Sequence, residues 1–279
     1  MNNGLLVVNK PKGMTSRDVV NKVCRKFNTK SVGHIGTLDP LAEGVLVCLI
    51  GKYTKLANIL TNHDKEYIAS FKLGILTDTL DITGNVLKEG KKDFSKDEIT
   101  NALNHFKGTY NQEVPIYSAV KINGKKLYEY ARNNIDVKLP SKIVNIYDIE
   151  LININDDIIT IKCKVSKGTY IRSLIRDIGA FLGTYATMTS LVRTILGNFN
   201  IDEAYTLEDI ENDNYKLLKL NDFLDVVTMK IDNEEDYKHI KNGNVMNIKS
   251  NKYILFTYED EDIALYEPFD NKIKPLIMF

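Results

Sequence analysis

The sequence predicts an α+β fold: a mixed, mostly antiparallel sheet flanked by helices, followed by a small β-rich C-terminal unit. Three observations carry this. Strand-like and helix-like segments mix without the regular βαβ repeat of a parallel sheet. Neither GxGxxG nor GxxxxGK followed by Ser or Thr occurs, so nucleotide-cofactor folds are not indicated. After about residue 205 the composition turns acidic, and short β-like runs (Lys252–Tyr258, Ile263–Tyr266) take over.

In chain order, the apolar, β-branched run Gly4–Asn9 reads as a strand, and Lys10-Pro11-Lys12-Gly13 as a turn. A helix is expected over 16–27, with Ser16 as N-cap and Val19, Val20, Val23, Cys24 and Phe27 at helical spacing. Glycine and proline crowd 33–44, which predicts a long ordered loop before a buried strand at Gly44–Ile50 and a short helix at Tyr53–Leu60. Lys65–Leu73 alternates as a strand does, and Thr77–Gly84 reads as a polar loop. Ser95 begins a helix with Asp97 and Glu98 in its first turn, where the dipole favours them. Val114–Ile122 reads as a strand, Asn123-Gly124 as a turn and Lys126–Arg132 as a short helix. Strands near 143–154 and 158–166, an amphipathic helix at Tyr170–Leu182 and a strand near 186–198 complete the larger unit. A linker helix is expected near 206–228.

The chain has 279 residues, 43% hydrophobic and 27% charged, enough for one large globular domain plus a small appendage. No apolar run approaches the roughly 20 residues that span a bilayer, and the start lacks a secretory pattern. A cytoplasmic protein without membrane attachment is expected. Cys24, Cys48 and Cys163 are far apart and no histidines pair at ligand spacing, so neither a metal site nor a disulfide framework is expected. Net charge is zero but segregated. Residues 1–60 hold nine Lys/Arg against three Asp/Glu, and 116–142 six against two, whereas 202–279 hold nine against eighteen. A basic N-terminal half attracts a polyanion even in a neutral chain; the plainer alternative is a solvated lysine-rich surface.

The segment Gly33-His34-Ile35-Gly36-Thr37-Leu38-Asp39-Pro40-Leu41-Ala42-Glu43-Gly44 concentrates the chemistry. Three glycines and a proline hold a specific backbone path, and Pro40 biases Asp39 toward extended geometry. A carboxylate fixed in this way can serve as nucleophile or general base; on its own it could equally cap a turn.

This segment and the opening Leu5-Leu6-Val7-Val8-Asn9-Lys10-Pro11-Lys12-Gly13-Met14-Thr15-Ser16 closely resemble the TruB-type tRNA pseudouridine-55 synthases. Further motifs follow in the same order: Lys65-Glu66-Tyr67, Leu73-Gly74 with Thr77-Asp78-Thr79 and Asp81, Pro115–Lys121 with Gly124–Arg132, and Ser166–Leu174. The likeness covers roughly residues 4–200. It implies a pseudouridine synthase-like catalytic domain over 1–228, with an RNA-contacting insertion at about 107–142. Residues 229–279 would form a small PUA-like β domain. It also implies an isomerase that converts uridine 55 in the T-loop of tRNA, working on a flipped-out base. The glycosidic bond breaks and a C–C bond forms at the same ribose carbon, without redox change or hydrolysis, so no cofactor is expected. A monomer with no obligate protein partner is expected.

By resemblance Asp39 is the catalytic aspartate. It either attacks sugar or base covalently, or takes a proton from the sugar. Arg172 is its partner, holding the carboxylate ionised by charge and hydrogen bonding. Tyr67 stacks on the target base, with Tyr170 as a second contact and Leu191 as a packing wall. His34 helps to open the T-loop. Asp81 matches a polar residue of the pocket region. Lys10 supports the active-site loop or contacts phosphate. Lys121, Lys125, Lys126 and Arg132 reach RNA phosphates. Two other readings remain: a non-catalytic RNA-binding or RNA-folding protein, and a glycoside hydrolase with Glu43 as the second carboxylate.

Overall fold

The computed structural model describes residues 3–61 and 63–279. Strand β1 (Gly4–Lys10) pairs antiparallel with β3 (Glu43–Ile50) along its whole length, from Gly4 opposite Ile50 to Lys10 opposite Gly44. Alternation splits β1 between two cores. Leu6 and Val8 meet Val19, Val20 and Val23 of α1 (Ser16–Lys26), while Leu5 and Val7 face Leu255, Leu265 and Ile277 of the C-terminal sheet. Thr15, not Ser16, caps α1, through a reciprocal capping box with Asp18. This frees the Ser16 hydroxyl, which accepts from Leu38 N at 2.9 Å and donates to Leu38 O. The expected loop at 33–44 is shorter than its glycines suggested, because β2 (Val32–Ile35) pairs with β3.

A 3-10 turn and α2 (Ala57–Leu60) lead to β4 (Lys65–Leu73), then to the hairpin of β5 (Ile75–Thr77) and β6 (Val86–Glu89). Ser95 caps α3 (Lys96–His105) as expected, and β7 (Gly108–Glu113) follows. The expected strand at Val114–Ile122 does not form. Pro115 cannot donate to a ladder, and Ser118 N turns back to Ile116 O, so 114–120 is irregular. Only β8 (Lys121–Ile122) and β9 (Lys125–Lys126) pair, around Asn123-Gly124, whose positive φ values suit a tight turn. Helix α4 (Leu127–Arg132) continues from them. Long strands β10 (Ser141–Asn155) and β11 (Ile158–Val165), helix α5 (Ile171–Phe181), β12 (Ala186–Leu196) and β13 (Phe199–Asn200) complete a nine-stranded sheet. Its main order is β1-β3-β12-β4-β11-β10-β7, and α3 and α5 pack on one face.

Among the described residues β3–β12 is the one parallel pairing between named strands of this sheet, and it is short: Val192 opposite Glu43 and Arg193 opposite Gly44. Gly44 has φ +99°, and any side chain there would run into the Arg193 backbone. The two strands therefore meet only where a glycine allows it, and the Asp39 loop enters the sheet at that point.

The linker helix expected at 206–228 is not one helix. α6 (Leu207–Glu211) stops at Asn212-Asp213-Asn214, with Asp213 at φ +59°, and the chain returns to the β1 edge through paired bonds between Leu5 and Leu218. α7 (Leu220–Phe223) precedes β14 (Val226–Lys230), which runs across the expected division at 228/229. With α8 (Glu234–Lys241), β15 (Tyr253–Tyr258), β16 (Glu261–Phe269) and β17 (Lys272–Met278) it builds a four-stranded sheet. Tyr53 ties this sheet to the larger one, donating to Asp262 at 2.8 Å and accepting from Leu220 N.

Candidate active site

A cavity of about 520 Å³ opens where the Gly36–Asp39 segment, β4, β12, the irregular 117–119 stretch and the entry to α5 converge. That volume lies in the range of small-molecule pockets. A larger cavity of about 630 Å³ lies between Val7 and the 198–225 segment, away from Asp39 and Arg172.

Asp39 is held from three sides. Ser16 grips the Leu38 peptide, Gly13 N donates to Pro40 O, and Ala42 N donates to Asp39 O. Its Oδ2 lies 2.9 Å from Nε of Arg172, one residue into α5. The rest of the guanidinium is used as well: Nη1 donates to Thr79 O at 3.0 Å and Nη2 to Tyr117 O at 2.9 Å. The Arg172 side chain is 6% exposed and that of Asp39 38%, so the arginine is a fixed cation while the carboxylate stays reachable from the cavity. Asp39 is the only acidic residue lining the cavity among the described residues. Glu43 does not line it, which removes the two-carboxylate arrangement a glycoside hydrolase needs.

Tyr67 forms another wall, buried on β4 directly across the sheet from Arg193. Burial raises the Tyr67 pKa against the pull of the Arg193 cation, so the phenol is protonated at neutral pH. Leu191, two residues from Arg193 on β12, and Tyr170 also line the space. Burial likewise pushes the Tyr170 pKa up. Gln112 of β7 clamps the Tyr170 backbone, accepting from its N at 2.8 Å and donating to its O at 3.1 Å.

The chain matches the model of the TruB family pseudouridylate synthase N-terminal domain over residues 24–171. It matches the tRNA pseudouridylate synthase B C-terminal domain over 172–236. The chain belongs to the TruB family. It is 44% identical to the tRNA pseudouridine synthase B of Fusobacterium nucleatum subsp. nucleatum over 279 residues, covering 97% of each protein. It is 46% identical to that of Caldicellulosiruptor saccharolyticus over 252 residues, covering 90% of this chain and 86% of the relative. Among solved structures it is similar to a chain of a Cbf5-Nop10-Gar1 complex, with TM-score 0.67 and 26% identity over 95% of this chain and 78% of that one. As a TruB family member the chain is a pseudouridine synthase, an isomerase.

The remaining residues expected at a TruB site lie around the cavity rather than in it. His34 is on β2, not in a loop, and its Nε2 is 3.3 Å from Oγ1 of Thr37, which does line the space. Burial, reinforced by Arg17 and Arg193, lowers its pKa and leaves the ring neutral at pH 7. Lys10 is fully buried and donates to Pro11 O and Met14 O. It thus braces the turn before α1 rather than meeting phosphate. Burial brings its pKa down to about 8. Asp81 does not line the cavity either. Its Oδ1 accepts from the Thr79 and Thr83 hydroxyls and from Thr83 N, so it steadies the segment whose Thr79 carbonyl Arg172 grips.

Lys121, Lys125, Lys126 and Arg132 sit on the β8–β9 hairpin and α4. Lys126 Nζ and the Arg132 guanidinium each lie 5.3 Å from the Tyr128 ring centroid. Tyr128 N donates to O of Ser118, a cavity residue, which joins this basic arm to the site. Arg193, Gln112, Lys65, Lys142 and Lys167 were not anticipated. Arg193 had a usable signal: on a strand it shares a face with Leu191, already expected to wall the pocket.

Proposed function

We propose that this enzyme converts uridine 55 in the T-loop of tRNA to pseudouridine, with Asp39 acting on a uridine flipped out of the RNA stack. The observation that carries this is the Asp39–Arg172 ion pair in a cavity walled by Tyr67, Tyr170 and Leu191. The printed names of the relatives supply the tRNA substrate. The isomerisation breaks C1′–N1, forms C1′–C5, releases the C5 proton and leaves a proton on N1. One carboxylate paired with a fixed arginine, and aromatic and apolar walls for a mobile base, suit those requirements.

Tyr67 takes the stacking role, its protonated phenol offering a hydrogen bond at the ring edge. Neutral His34 fills the space vacated in the T-loop. The basic arm at 121–132 lies within the RNA-contacting insertion of about 107–142 and grips backbone phosphates, and the C-terminal sheet is the PUA-like part of the chain. Among the described residues no helix is long and apolar enough to cross a membrane. Action in the cytoplasm as a monomer belongs to the same proposal and rests on the TruB likeness. The test is tritium release from T-loop RNA labelled at uracil C5, followed by mapping of the product. A folded sample that releases no tritium ends this reading, and release from a different uridine ends its position.

A further inference from the structure

The chemistry above uses Tyr67 and leaves the cation bonded to it without a role. Arg193 lies opposite Tyr67 in the β12–β4 register and opposite Gly44 on the β3 side. It is fully buried, with Nε donating to Val45 O at 2.8 Å and Nη2 to Gly36 O at 2.6 Å. A Cβ at Gly36 would come within 3.1 Å of Nη1, so the guanidinium lies against the start of the Asp39 segment. It also hydrogen-bonds the Tyr67 phenol. One side chain therefore ties β3, the Asp39 segment and Tyr67 into a single frame.

The bond to the phenol has a fixed polarity. A guanidinium carries five N–H donors and no acceptor. The Tyr67 oxygen must therefore accept from Arg193, and its own O–H is left to donate elsewhere. Tyr67 lines the cavity, and Arg193 is the hydrogen-bond partner of its phenol among the described residues. An acceptor brought in by the substrate is what that proton can meet. Packing alone does not account for the charge either. Two carbonyls and a phenol could be satisfied by neutral donors, and burying a cation is costly. Among the described residues no carboxylate forms an ion pair with Arg193, and Tyr67 is the group that offsets its burial. A positive charge bonded to the phenolic oxygen makes the O–H a stronger donor.

Resting on the proposed function, we propose that Arg193 is a positioning residue that makes the Tyr67 phenol a one-way, strengthened donor to a carbonyl oxygen of the flipped uracil. It acts through Tyr67 and does not touch the RNA. Because the same guanidinium holds Gly36, the donor keeps a fixed place relative to Asp39 while the base turns.

The experiment uses the full chain and tritium release from T-loop RNA, on the cycle of Arg193→Gln, Tyr67→Phe and the double variant. Arg193→Gln should lower kcat roughly tenfold, the scale of a lost hydrogen bond to a charged group, with KM within about twofold. Tyr67→Phe should lose at least as much. The double variant should match Tyr67→Phe within about twofold, because Arg193 then has no phenol to act through. Arg193→Lys keeps the charge without the planar fork and should recover part of kcat. A further loss of about tenfold on adding Arg193→Gln to Tyr67→Phe, or a loss carried by KM, overturns the proposal. Arg193 would then serve only the fold. Melting curves check each sample; should Arg193→Gln not fold, Arg193→Lys carries the same cycle, with a partial loss beside Tyr67 and none beside Phe. Tritium release by wild type separates the two readings. Release with an additive cycle sinks only the role of Arg193, and absence of release sinks the proposed function itself.

Discussion

The Asp39 pocket and the basic arm at 121–132 are joined through Ser118 yet built on opposite terms. In the pocket, Arg172 spends Nε, Nη1 and Nη2 on three fixed acceptors, and the loop bearing Asp39 is tied to Ser16 and Gly13. On the arm, Lys121 and Lys125 are exposed, and the element is attached by backbone bonds from Leu127 and Tyr128 to Val120 and Ser118. The contrast has a physical basis. Chemistry tolerates errors well below an ångström, so its groups must lose their rotamer freedom within a packed core. Attraction to a phosphate chain acts over the screening length and needs only charge of the right sign nearby. Changes in the pocket should therefore appear in kcat, and changes on the arm in KM and salt dependence.

The largest expected effect is at Asp39. Asp39→Asn keeps the shape of the side chain but removes the charge, and turnover should fall by at least about 10⁴-fold, the scale of losing a catalytic nucleophile or base. RNA binding should stay within a few fold, measured by filter binding against single-turnover tritium release. Binding lost together with turnover would mean that Asp39 grips RNA as the arm does, and the contrast would fail. Next is Arg172→Ala. It removes a preorganised cation and should cost about 10²–10³ in kcat. It also strands the Thr79 and Tyr117 carbonyls, so stability should drop by about 2–4 kcal/mol in urea unfolding. Asp39→Asn, at a more exposed side chain, should leave the unfolding midpoint nearly unchanged.

Much of this was legible in the residues, and the failures have causes. Gly36, Pro40 and Gly44 announced a constrained loop, because each restricts or frees φ where the backbone needs it. Asp39, Tyr67 and Arg172 were found through ordered motifs, since nothing local marks residues that meet only after the sheet forms. Arg193 carries little local signal because a fully buried arginine is rare, and its acceptors, Gly36 O after β2 and Val45 O in β3, lie far away in sequence. Val114–Ile122 has the β-branched and aromatic content of a strand, but Pro115 denies it a ladder. The helical spacing after 206 is real for one turn only; Asn212-Asp213-Asn214 then sends the chain back to pair with Leu5. For Lys10 the sequence leaves bracing the loop and meeting phosphate both open, because sequence gives no account of burial; its bonds to Pro11 O and Met14 O favour the first.

Lys65 sharpens the contrast through pH. Burial, then the nearby cations, brings its pKa from 10.5 to about 8. Between about pH 8 and 10.5 the unfolded chain holds a proton that the folded chain has released at this site, so stability rises with pH there. Below about pH 8 both states are protonated, and the full cost of burying the charge applies. In Lys65→Met that slope should disappear. The difference in unfolding free energy between wild type and variant should change by up to about 1.4 kcal/mol per pH unit between pH 8 and 10. Urea unfolding at pH 7.5 and 9.5 measures it. Parallel curves would place Lys65 among the solvated lysines of the arm.

The smallest expected effects belong to the arm itself. Lys121→Gln, Lys125→Gln and Arg132→Gln each remove one charge from an exposed element and leave the nine-stranded sheet untouched. Each should raise KM only a few fold, with the loss absent from kcat, the pattern expected of a contact made equally in ground and transition states. Each should also lower the slope of log Kd against log salt by about 0.7–0.9. Arg132 should deviate from the two lysines because its guanidinium also covers the Tyr128 ring, so Arg132→Gln loses packing as well as charge. Steady-state kinetics at 50 and 200 mM salt distinguish the cases. A fall in kcat for Lys121→Gln would mean that the arm positions the uridine rather than merely holding the RNA, and the division between pocket and arm would have to be redrawn at Ser118.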